Sequence, residues 1–164
     1  MGWLRGPLPR FVSVQAEGCA PVVRAWRAGA ETTSPWENPV THAAGLRVPS
    51  PFGGRQMLRV IRDTGGEALS VSEAAIQEAQ QVLAGREGLW TGPEAAATVA
   101  ALLGLKERGA LYADARVVLV LTGAGIKNEP PPLPPPVHLT GSEDEIVERA
   151  RSALAAWGAP ARPM

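Results

Sequence analysis

The sequence predicts an α/β fold in which a mostly parallel sheet is flanked by helices. Short β-prone runs alternate with stretches of helical spacing: FVSVQA precedes CAPVVRAWRAG, and EALSV precedes SEAAIQEAQQVLAGREG. That alternation places helices against a parallel sheet. VVLVL at 117–121 is apolar at successive positions, as a parallel strand covered on both faces requires. The helical stretches open on Ser or Pro and close on Gly, the residues suited to starting and stopping helices.

In chain order, Phe11, Val12 and Val14 mark a first strand. Pro21 suits the first turn of a helix that Gly29 ends. Residues 30–54 carry Pro, Gly, Asn, Ser and Thr throughout and read as a long loop. RQMLRVIRDTGG at 55–66 sets Met57, Leu58 and Ile61 on one helical face and stops at a glycine pair. EALSV reads as a strand, after which Ser72 is a good N-cap and Glu73 suits the helix dipole. Ile76, Ala79, Val82 and Leu83 give that helix its apolar face. PEAAATVAALLGLKERG at 93–109 repeats the design, with Val99, Leu102 and Leu103 inside and Gly109 as the stop. The Pro-rich stretch that follows Asn128 reads as an extended linker over 129–141. Beyond it, 142–164 reads as an amphipathic helix and tail. Ser142 and Glu145 form a capping box there, and Ile146, Ala150, Ala153, Leu154 and Trp157 form an apolar stripe.

Sixteen basic residues balance sixteen acidic ones among 164, so the broad basic surface of a nucleic-acid or acidic-membrane binder is not expected. One cysteine and two distant histidines, His42 and His138, supply no metal-ligand cluster. Cys19 reads as a small buried residue rather than a reactive thiol. The first ten residues lack the apolar core of a secretory signal, and no apolar run matches a membrane span. A reducing, cytoplasmic setting is the expectation.

The turn TGAGIKN at 122–128 poses the functional question. A strand running into a glycine turn often cradles a phosphate. A Walker loop would continue into a helix, whereas here Glu129 is followed by PPPLPPP. Lys127 is also followed by Asn128 where Ser or Thr would be needed. The turn sits where ligands bind in open α/β sheets, at the carboxyl end of a strand.

Four segments together resemble the C-terminal part of threonine synthases, pyridoxal-phosphate enzymes of fold type II. They are VQAEGCAPVVRAW at 14–26, NPVTHAAGLRVPSPFGGRQML at 38–58, REGLWTGPEAAATVAAL at 86–102 and VVLVLTGAGIKN at 117–128. The resemblance implies that residues 1–128 are the C-terminal portion of a threonine synthase-like domain, part of the large domain of that fold. It implies pyridoxal 5'-phosphate as cofactor and O-phosphohomoserine as small-molecule substrate. Thr122 matches the residue whose hydroxyl meets the pyridine nitrogen, and Gly123 lets the chain turn away without a side chain striking the ring. Gly45, in Thr41-x-Ala43-x-Gly45, resembles a glycine whose backbone approaches the cofactor; a loop glycine of positive φ is the other reading. Family members often carry a Glu just before the proline opening the helix at 93, where this chain has Gly92, and Glu94 reads as a helix-dipole residue.

The resemblance also implies absences. The lysines are Lys106 and Lys127, neither in the Ser-x-Lys-Asp-Arg context of the Schiff-base lysine. The asparagine at the cofactor's phenolic oxygen and the glycine-rich phosphate loop have no counterpart. No catalytic residue is therefore expected in this chain, and alone it is expected to be inactive. The expected partner is a complementary N-terminal half, with homo-oligomers open. Trp3 and Leu4 read as interior sequence, as in a piece of a longer or split enzyme. A non-enzymatic remnant serving as a binding module, and another fold type II activity such as a threonine or serine dehydratase, remain the alternatives.

Overall fold

The computed structural model describes Gly6 and residues 8–128 and 138–157, with the backbone alone at 156 and 157. Trp3, Leu4, the PPPLPPP stretch and the side chain of Trp157 lie outside the described residues. The chain divides into two compact units, Met1–Glu129 and Pro130–Met164.

The larger unit is built on two parallel strands, β1 (Val12–Ala16) and β2 (Glu67–Val71), in register from Val12 opposite Glu67 to Ala16 opposite Val71. Between them run α1 (Pro21–Arg27) and α2 (Gly54–Asp63). After β2 come α3 (Glu73–Glu87) and α4 (Pro93–Glu107). Strand side chains alternate between the two faces of a sheet, and two apolar clusters follow from that alternation. Val14, Leu69, Ala16 and Val71 pack with Ile76, Ala79, Leu83, Ala97 and Ala100 of α3 and α4. Ala68 joins Val22, Val23, Leu58 and Ile61 of α1 and α2. The sheet is thus covered on both faces. Between α3 and α4 the buried residues are mostly alanines, which let two helices approach closely.

Caps and stops account for the element ends. The Ser72 hydroxyl accepts the Ala75 N–H at 3.2 Å, and Gly29, Gly65 and Gly109 take positive φ where α1, α2 and α4 finish. Ala20, before α1, offers no capping side chain. Instead Gln15, 9 % exposed on β1, accepts the N–H groups of Val22 and Val23 at 2.8 and 3.1 Å. A strand residue therefore caps the helix that follows it. Cys19 is fully buried. Among the described residues, no helix is long and apolar enough to cross a membrane.

Three expectations need correction. The run 117–121 forms no strand and pairs with none among the described residues, and the backbone hydrogen bonds among them leave it out. A strand is defined by its neighbour, and among the described residues the sheet holds β1 and β2 alone. Met57 is 46 % exposed while Leu58 and Ile61 are buried, so the inner face of α2 is narrower than its apolar residues suggest. In α4, Leu102 and Leu103 are half-buried and Leu105 is buried instead. The long loop at 30–54 holds one short 3-10 turn, Ala44–Leu46. It is tied down by Arg24, whose guanidinium donates to Ser34 and Pro35 carbonyls at 2.8 Å and lies 4.9 Å from the Trp36 ring centre.

In the smaller unit, α5 (Glu143–Trp157) starts where Ser142 was expected to cap it. Glu145 accepts the Ser142 backbone N–H at 2.8 Å and its hydroxyl at 3.1 Å. Ile146, Ala150 and Ala153 are half-buried, while Leu154 of the expected stripe is 66 % exposed.

Candidate functional site

Three separate stretches meet at the start of α4. The first is the 3-10 turn at Ala44–Leu46, preceded by buried Thr41, whose hydroxyl accepts the Ala43 N–H at 3.1 Å. The second is Trp90–Glu94, in which Pro93 occupies the first helical turn. The third is the glycine turn 122–128. Trp90–Gly92 and Gly123–Gly125 lie side by side: the Gly92 N–H donates to the Gly123 carbonyl, and the Gly125 N–H to the Trp90 carbonyl, both at 2.9 Å. Between them Thr91 and Ala124 form an antiparallel bridge. Gly125 packs so tightly on the Trp90 ring that a Cβ there would overlap the indole.

Glu94 joins the first stretch to the second. Its Oε1 accepts the Gly45 N–H at 2.8 Å, and a Cβ on Gly92 would lie 3.0 Å from its Oε2 and 3.2 Å from Asn128 Oδ1. The carboxylate thus lies among Gly45, Gly92 and the end of the glycine turn. Its place in the first turn of α4 also suits the helix dipole, but the bond to Gly45 goes beyond that role and was not legible in the sequence. Gly45 itself is exposed and has no positive φ. Its backbone amide and tight clearance against Glu94, not a left-handed turn, are what distinguish it.

Thr122 is exposed, and Gly123 has open space where a side chain would project. That combination, a hydroxyl able to donate or accept and a neighbour without bulk, fits the approach of a flat heteroaromatic ring. Thr91 is 6 % exposed, and its hydroxyl has no hydrogen-bond partner among the described residues. Lys127 and Lys106 are both exposed. Neither lysine is in an ion pair among the described residues.

Residues 3–123 match the family described as pyridoxal-phosphate dependent enzyme. The chain belongs to that family. It is 35 % identical over 139 residues to a threonine synthase of Methanocaldococcus jannaschii, an alignment covering 85 % of this chain and 33 % of the relative. To a threonine synthase of Methanosarcina acetivorans it is 40 % identical over 121 residues, covering 74 % and 30 %. The chain therefore spans about a third of the length of the curated relatives it matches. Among solved structures it is similar to a T.th. threonine deaminase, with TM-score 0.52, 25 % identity and coverage of 73 % of this chain and 41 % of that one. Maize serine racemase shares the fold at TM-score 0.50 and 22 % identity, covering 61 % and 30 %. Pyridoxal phosphate is the cofactor that this membership implies. The residues present fit one edge of it: the exposed hydroxyl of Thr122 and the open space at Gly123 suit the ring nitrogen.

Proposed function

We propose that this chain is one part of a threonine synthase-like site that turns O-phosphohomoserine and water into threonine and inorganic phosphate. The observation that carries the reading is the convergence of the Gly45 turn, the start of α4 and the 122–125 turn, in a chain 35 % and 40 % identical to threonine synthases. Bound pyridoxal phosphate would draw electrons from the substrate carbons. Thr122 would hydrogen-bond the ring nitrogen; as a neutral hydroxyl it does not force that nitrogen to carry a proton, so it moderates the electron sink. Gly123 leaves room for the ring, and Glu94 holds the Gly45 backbone that lines the same site. The anchoring lysine, and with it the base that moves protons at the substrate, would come from a complementary polypeptide. This chain alone would be inactive.

The test mixes the chain with a polypeptide carrying the missing lysine motif and phosphate loop, adds pyridoxal phosphate, and reads the visible absorbance of bound cofactor and phosphate release from O-phosphohomoserine. Thr122→Val should weaken cofactor binding by roughly threefold to tenfold, the worth of one hydrogen bond; no change rejects the role given to Thr122. A second reading, deamination of threonine, is favoured by the likeness to the T.th. deaminase. Ammonia released from threonine, with no phosphate from O-phosphohomoserine, would select it.

A further inference from the structure

Glu73 opens α3, where an acidic residue suits the helix dipole, yet its carboxylate does more than that. Its Oε2 accepts the His42 N–H at 3.1 Å, 31 positions earlier in the chain. Its Oε1 is buried and has no hydrogen-bond partner among the described residues. A carboxylate serving the dipole alone could keep both oxygens in water, and burying one without a donor is unfavourable. The loop, not the solvent, sets where this side chain lies. Three residues beyond His42, Glu94 of α4 accepts the Gly45 N–H at 2.8 Å. Between the two bonds Ala43 is fully buried, and its N–H donates to the Thr41 hydroxyl at 3.1 Å. Leu46 packs against the α3–α4 cluster. The turn 41–46 is thus held between the first turns of two helices, by one carboxylate at each end.

We propose that Glu73 is a positioning residue for the site: it anchors the turn through His42 and so keeps Gly45 where Glu94 can hold it. The packed alanines between α3 and α4 fix the two helix starts relative to each other, so the two carboxylates form a rigid pair of attachment points. A turn pinned at one end keeps much of its backbone freedom, and a second pin removes it. Once one bond is made, the other needs less ordering, so the two are coupled. The inference deepens the function proposed above and rests on it, because the place of Gly45 matters to the chemistry only where this turn lines the cofactor site.

The first measurement uses the full chain alone and reads hydrogen exchange at the His42 and Gly45 amides. Glu73→Ala should speed exchange at His42 by about fivefold or more. It should also speed Gly45 by about twofold or more, through the coupling alone. Glu73→Gln keeps an acceptor oxygen without the charge and should hold both amides near their original rates. Ser72→Ala weakens the same helix start, since the Ser72 hydroxyl serves Ala75, and should leave both rates unchanged. Unaltered Gly45 exchange in Glu73→Ala overturns the proposal. So does Glu73→Gln exchanging as fast as Glu73→Ala, which assigns Glu73 to the helix dipole, or Ser72→Ala exchanging as fast, which assigns the effect to fraying of α3. The second measurement adds pyridoxal phosphate and the portion of the Methanocaldococcus jannaschii threonine synthase outside the matched region. Glu73→Ala should weaken cofactor binding by about threefold or more, and Glu73→Gln should restore it. Equal cofactor affinity in Glu73→Ala, with the turn loosened, overturns the positioning role. An unsubstituted chain that binds no cofactor, while its variants show the expected exchange pattern, rejects the proposed function and leaves the pinned turn standing.

Discussion

At the scale of single residues, Glu94 shows how one side chain can serve two ends. Its position at the start of α4 favours the helix, and its Oε1 fixes the Gly45 amide 49 positions earlier in the chain. Glu94→Ala should lower unfolding free energy by about 1 kcal/mol, read by urea denaturation. It should also speed exchange of the Gly45 amide; an unaltered Gly45 exchange rate would show that the bond does not order the turn. Gln15 does comparable work by capping α1 from a strand. Neither role could be found from spacing, because each partner lies on a different element.

At the scale of elements, local rules predict ends well. Ser72 caps α3 through a bond to Ala75 at 3.2 Å, so Ser72→Ala should cost about 1 kcal/mol in thermal or chemical unfolding. In α5, the Ser142 backbone N–H, and after it the Ser142 hydroxyl, hold the Glu145 carboxyl below the usual glutamate range. A carboxyl whose folded value is depressed stabilises its element above the unfolded value and loses that contribution as pH falls through the folded one. The amide chemical shifts of 143–157 should therefore report fraying of the first turn as pH drops through and below the glutamate range. Glu145→Gln should remove that acid transition while the rest of the titration stays; a transition identical in the variant would assign it elsewhere. The stop glycines belong to the same local class, since α1, α2 and α4 end at Gly29, Gly65 and Gly109 in left-handed backbone.

At the scale of the whole molecule, two apolar clusters on opposite faces of a two-stranded sheet carry the larger unit. Leu58, fully buried in the cluster of α1 and α2, has no contact with solvent that could soften its loss. Leu58→Ala should cost about 2–5 kcal/mol, measured by chemical denaturation. A cost below about 1 kcal/mol would mean that this layer packs loosely around it. Met57, its neighbour in sequence, faces the open groove beside β1. Two adjacent apolar residues thus have opposite surroundings.

What the sequence by itself determined was local: the alternation of elements, the cap at Ser72, the Glu145 half of the capping box at Ser142, the glycine stops, and the burial of Cys19. These follow from backbone conformation and side-chain spacing within a few residues, which any segment carries with it. The resemblance carried by four quoted segments also stood, because the family match spans residues 3–123. Only the tertiary structure decided that Glu94 binds Gly45, that Trp90–Gly92 clasps the glycine turn, and that VVLVL has no strand partner among the described residues. A run of valines and leucines states a tendency to be a strand, but the hydrogen bonds that make one belong to a neighbour, and β1 and β2 offer this run none.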